Sequence, residues 1–224
     1  MHPYITRYSR KAKHLQLRII EHRLEVIIPE KKHISSYSVE QFIQKKQAWI
    51  KKNIPTTNKL TLPSSIELPA INQTWEVRYI PTSDQNIHLT SHLSKQIILN
   101  GNISHIPLCI KILRQWLRAL AIDYLPQKLT SLACQKGFSF KRVTIRHNLT
   151  RWGSCSSKKN ISLSCRLLLL PQDLMHHVLL HELCHTQIMH HGKDFWKLLE
   201  RFDHLTEIHK KQLRQIGKQL PSWS

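Results

Sequence analysis

The chain has 224 residues, 34 Lys and Arg against 14 Asp and Glu for a formal charge of +20, and 41% hydrophobic residues. That length allows one catalytic domain with a smaller companion, and no segment approaches the roughly 20 apolar residues of a bilayer span, so neither export nor a membrane is predicted. Cys109, Cys134, Cys155, Cys165 and Cys184 are odd in number and form no Cys-x-x-Cys pair, which argues against a disulfide framework or a thiolate zinc site and predicts reduced thiols in a cytoplasmic protein.

Residues 14–20 and 23–28 alternate or run β-branched around a short polar turn and predict a hairpin. Ser38 is placed as the N-cap of a helix reaching Lys52, with Val39, Phe42, Ile43, Ala48, Trp49 and Ile50 near one side. Residues 53–64, rich in Asn, Pro, Thr and Ser, read as a linker or long loop. Strand-like runs follow at 75–80, 87–89 and 97–99, so residues 1–100 read as an N-terminal α+β module.

Residues 101–224 read as the catalytic core. Ile112, Leu113, Trp116, Leu117, Leu120 and Tyr124 predict a long helix, kinked or broken near Pro126 before Gly137. A short strand at 143–146, a loop from His147 into Arg151-Trp152-Gly153-Ser154-Cys155-Ser156, and a paired strand at 160–163 come next. Pro171 at a first helical position, Asp173 in the first turn, and Leu174, Val178, Leu179 and Leu183 on one stripe predict a buried helix. Phe195, Leu198, Leu199 and Phe202 mark another helix, and Leu205, Ile208, Leu213, Ile216 and Leu220 a last one.

The buried helix carries His181, Glu182 and His185 as His-Glu-x-x-His, with His191 six residues further on. Positions i and i+4 lie one turn apart on one helical face, so two imidazoles there can share a metal ion, while the Glu sits about 100° round the helix, near a metal-bound water. With 16 His in the chain, the bare motif arises by chance in roughly 1 chain in 20 of this composition, and its helical context lowers that. A third ligand must come from a segment beyond the helix, where Gly192 predicts a left-handed end. His191 is the choice; His190, Asp194, Glu200 and His204 stay open. His177 shares the face but lies about 12 Å along the axis from His185. Water in the fourth position would make the site catalytic.

Of the 34 basic residues, 15 fall in 1–100 and 19 beyond, so the charge is no detachable tail. The densest stretch holds Lys136, Lys141, Arg142, Arg146, Arg151, Lys158 and Lys159 without an acidic residue, a surface suited to nucleic acid or acidic substrates unless it is merely a solvated basic face.

Arg-Trp-Gly-Ser-Cys-Ser about 30 residues before His-Glu-Leu-Cys-His, the Leu-Leu-Pro between them, His-x3-Phe-Trp, and the early Ser-Arg-Lys-Ala-Lys-His-Leu-Gln-Leu-Arg closely resemble the YgjP-like family of zinc metallohydrolases, grouped with SprT-like and gluzincin-type metallopeptidases. The resemblance implies an α+β fold: a compact helical metalloprotease core with a small sheet, preceded by the N-terminal module. It implies Zn²⁺ on His181, His185 and His191, with Glu182 as general base. Where the family pattern has Asn before the third histidine this chain has His190, and where an Asn commonly opens a segment it has Ser164.

The expected reaction is hydrolysis of a peptide bond in an unfolded or extended polypeptide, with Arg151 as a donor to the developing oxyanion or, alternatively, a structural bridge. The strand around Leu163 is expected to offer an edge to the substrate. Two rivals remain: a nucleoside triphosphate phosphohydrolase on the same metal, for which no Gly-rich phosphate loop is present, and a basic nucleic-acid-associated protein with a non-catalytic zinc site.

Overall fold

In the computed structural model, which describes residues 4–20, 23–32, 34–53, 61–217 and 219–224, the first core is built on three strands, β1 (Tyr4–Ser9), β2 (Gln16–Ile20) and β3 (Arg23–Pro29), in the order β1-β3-β2. β2 and β3 form the expected hairpin, with Ile20 opposite Arg23. β1 adds in parallel on the other side of β3, a strand not foreseen because its Ile5 and Tyr8 are exposed and leave no buried alternation to read. Leu24, Val26 and Ile28 pack against Val39, Ile43 and Ile50 of two short helices, α1 (Ser36–Lys45) and α2 (Gln47–Asn53).

The helix expected from Ser38 to Lys52 thus begins a turn earlier and is interrupted. Ser35, in extended conformation, is the N-cap, its Oγ accepting from the Ser38 backbone N–H at 3.2 Å, and Lys46 closes α1. Either serine satisfies the capping chemistry; the geometry selects the first. Residues 54–60, most of the expected linker, lie outside the described residues.

The chain divides into compact units between Lys59 and Leu60, not at the expected boundary after residue 100. The reason is packing. Strands β4 (Ser65–Leu68), β5 (Gln73–Pro81), β6 (Ile87–His92) and β7 (Gln96–Gly101) form a sheet ordered β4-β5-β7-β6. Its Ile66, Leu68, Trp75, Val77, Ile97 and Leu99 share one core with α3 (Ile106–Lys136), where Trp116 meets Trp75 edge to face at 5.1 Å.

α3 continues as one helix through Pro126, so the chain does not break there as one of the two expected outcomes had it, and the helix ends on Gly137 at φ 72°. An interior proline costs about 3 kcal/mol, but Leu117, Leu125 and Leu129 flank it on one fully buried stripe, each contributing about 1.5–3 kcal/mol. Burial on both sides outweighs the missing hydrogen bond.

A third sheet follows, from β8 (Arg142–Arg146), β9 (Gly153–Cys155) and β10 (Asn160–Ser164) in the order β8-β10-β9. β10 pairs with β8, the expected partner, but in parallel rather than as a hairpin, and with β9 antiparallel. Residues 153–155 read as loop in the sequence because Gly-Ser-Cys has neither β-branching nor alternation. α4 (Gln172–Cys184), α5 (Lys193–Glu200) and α6 (Thr206–Ile216) complete the unit. The architecture is α+β, and among the described residues no helix is long and apolar enough to cross a membrane.

Candidate metal centre

α4 is the helix that the apolar stripe predicted: Leu174, Val178, Leu179 and Leu183 are all buried. Pro171 stands at the N-cap with Asp173 in the first turn. The helix stops at Cys184, with His185 as its C-cap, so His181 and His185 occupy its last turn. Gly192 is not left-handed as expected; at φ −76° and ψ −178° it is extended and starts α5. The chain turns away immediately after His185, and Gly192 is then needed only to open the next helix.

That path brings His191 back over α4. The Nε2 atoms of His181, His185 and His191 lie 3.1 Å from one another, pair by pair. Two donors of one tetrahedral ion with bonds of about 2.0–2.1 Å stand about 3.3–3.4 Å apart, so this triangle fits a zinc-sized cation. Burial and the neighbouring imidazoles push the His181 pKa down to about 3, and burial also lowers that of His185, which keeps both rings neutral. His185 Nδ1–H donates to the Ile188 carbonyl at 3.1 Å, leaving Nε2 as the free lone pair.

Phe195, fully buried, underlies all three rings with centroid distances of 4.9, 4.5 and 4.8 Å to His181, His185 and His191. Trp196 stacks on His191 at 5.6 Å and donates its Nε1–H to the His191 carbonyl at 3.1 Å. Sequence periodicity saw Phe195 only as a helix core position, because spacing cannot say what a buried ring supports.

Glu182 points into the same cleft, a space of about 300 Å³ lined by Gly153, Ser154, Cys155, His181, Glu182, His185, Met189 and His191. Its carboxylate is buried and Oε2 has no partner. Burial raises its pKa to about 8, against the opposing charge of Arg151. Arg151 itself is exposed and lines an adjoining pocket rather than this cleft. Cys155 lines both, its thiol pushed up to about 11 by burial and by Glu182, which marks it as an inert neighbour.

Of the other candidate ligands, His190 turns its Nδ1 to accept from the Gly192 N–H at 3.3 Å. Asp194, Glu200 and His204 join neither of the metal-capable groups among the described residues. Ser164 has a definite polar role: its Oγ donates to the Asn148 carbonyl at 3.1 Å and accepts from the Arg166 N–H, capping a 3₁₀ turn at Cys165–Leu169. β10 is the middle strand, so the edge expected around Leu163 is already paired on both sides; the outer strand facing the cleft is β9.

A family model for the YgjP-like metallopeptidase domain matches residues 13–216. The chain belongs to the YgjP-like family. Neither the curated proteins nor the solved structures compared with it gave a match. Membership assigns a metal-dependent hydrolase domain, and the imidazole triangle is the donor set in this YgjP-like chain that fits the ion such a domain requires.

The second metal-capable group, His177, Asp203 and His209, is a different object. One oxygen, Asp203 Oδ2, accepts from His177 Nδ1 at 2.5 Å and from His209 Nδ1 at 2.9 Å. These separations are shorter than two ligands of one zinc ion adopt and are hydrogen-bond lengths. The group braces α4 against α6, one turn behind the metal centre.

Proposed function

We propose that this chain is a zinc metallopeptidase that cleaves extended or unfolded polypeptides, with His181, His185 and His191 as ligands and Glu182 as general base. The observation that carries this reading is the convergence of three imidazole nitrogens at 3.1 Å beside a buried carboxylate oxygen without a partner among the described residues. An all-imidazole set with one open position suits zinc, which when bound lowers the pKa of water toward neutrality and polarises a carbonyl.

Glu182 takes a proton from the attacking water on its carboxylate and delivers it to the leaving amine nitrogen. Burial raises its pKa to about 8, which makes the carboxylate a stronger proton acceptor than an exposed glutamate. Arg151, one pocket away, acts through its charge on Glu182 and on the negative oxygen that develops. Strand β9 presents backbone at the cleft, where an extended substrate would add as a further strand with its carbonyl beside Glu182.

The test is hydrolysis of an unfolded casein-like chain by the zinc-loaded wild type and by Glu182→Gln. The expected result is a loss of about 10²–10⁴-fold in kcat with zinc content unchanged. Equal hydrolysis by both would remove the base. Release of pyrophosphate from nucleoside triphosphates by a protein that leaves the polypeptide intact would replace the substrate class.

A further inference from the structure

We propose that the outward face of the β8-β10-β9 sheet is a recognition site for acidic side chains of the polypeptide substrate, continuous with the metal cleft; the peptidase reading supplies the identity of the occupant. β8 and β10 each have an apolar face, where Ile145, Ile161 and Leu163 enter the core. The opposite face carries Arg142, Thr144 and Arg146 on β8. In register beside Arg142 and Thr144 stand Asn160 and Ser162 of β10, and Ser154 of β9 lies opposite Ser162. These residues, with Arg151, line a pocket of about 470 Å³ that shares Ser154 and Cys155 with the metal cleft.

Two features show that the face is incomplete as it stands. Among the described residues, the side chains of Arg142, Arg146 and Arg151 make no ion pair or hydrogen bond. Ser162 Oγ and Asn160 Oδ1 are buried and also lack a hydrogen-bond partner. A serine hydroxyl has a proton to give and an amide oxygen needs one, so a molecule that offers both acceptors and donors, as an extended peptide does, would satisfy them.

The spacing agrees. At about 3.3 Å per residue, Arg142 and Arg146 stand roughly 13 Å apart, the separation of side chains four residues apart on an extended peptide. Single-stranded nucleic acid, which could span them, is held by aromatic side chains stacked on bases, and none lines this pocket.

The test uses the zinc-loaded full chain carrying Glu182→Gln, so that bound peptide survives, and fluorescence anisotropy. The probes are an extended Ser/Ala peptide with Glu at alternate positions, its Gln counterpart, and a thymidine oligonucleotide of equal charge. The Glu peptide is expected to bind at least about 10-fold tighter than the Gln peptide, an advantage lost in Arg142→Gln/Arg146→Gln but kept in Lys111→Gln, an exposed charge on α3 outside the pocket. Melting curves of the variants verify that each is folded. Equal affinity for the two peptides, a double variant no weaker than Lys111→Gln, or tighter binding of the oligonucleotide would overturn the proposal. Tight binding of the Glu peptide by a protein whose wild type never cuts it would leave this site standing and end the peptidase reading instead.

Discussion

Gly153 lies against Glu182 so closely that a Cβ built on it would stand 2.5 Å from Glu182 Oε1 and 2.7 Å from Cγ. The glycine of β9 is therefore what lets the carboxylate lie flat beside the metal centre, and its role is space rather than backbone freedom. Gly153→Ala forces the carboxylate out of its seat. The expected outcome is a fall of at least about 10² in kcat with zinc binding retained, since a misplacement near 1 Å costs about that much. Full activity of the variant, measured on the same polypeptide substrate, would show that Glu182 tolerates another position.

Phe195 supports the rings from beneath. Phe195→Leu leaves an apolar but smaller floor on which all three imidazoles can tilt. A zinc affinity reduced by about 10-fold or more is expected in competition with a chelator, by analogy with the loss of outer contacts around metal ligands. The fold should be destabilised by about 1–3 kcal/mol in denaturant titration. Unchanged metal affinity would reduce the floor to ordinary packing.

The Asp203 brace predicts acid sensitivity. Burial raises the Asp203 pKa, but the hydrogen bonds from His209 and His177 outweigh it and the net shift is downward. Burial lowers that of His177, with Asp203 only partly opposing. A carboxyl depressed in the fold contributes stability that is whole above its unfolded value near 4 and lost as pH falls through the folded value. A depressed imidazole acts with the same sign, its contribution waning as pH drops below about 6.5. Thermal melting of the wild type should therefore fall more steeply below about pH 4 than that of Asp203→Asn, which starts about 1–3 kcal/mol less stable at pH 7. Parallel curves would place the acid response elsewhere.

Much of this was legible in the chain because some signals are local. His181, Glu182 and His185 could be placed on one buried helix from Pro171 and four apolar residues, since helical spacing fixes which side chains share a face. Other features depend on what packs against what. Pro126 looks like a break until Leu117, Leu125 and Leu129 are seen buried around it. Residues 65–101 look like part of the N-terminal module until Trp75 meets Trp116. Gly-Ser-Cys at 153–155 has no strand signature of its own and becomes a strand only because β10 offers it a partner. His177 stands outside the triangle of His181, His185 and His191, and its bond to Asp203 joins segments 26 residues apart, which no periodicity reveals.

The central claim is that His181, His185 and His191, and not His190, hold one catalytic ion. Zinc content after dialysis against metal-free buffer tests it directly across the single alanine variants at these four positions. The account predicts close to one equivalent in the wild type and in His190→Ala, and loss in the other three. Retention of zinc by His191→Ala together with its loss from His190→Ala would contradict it.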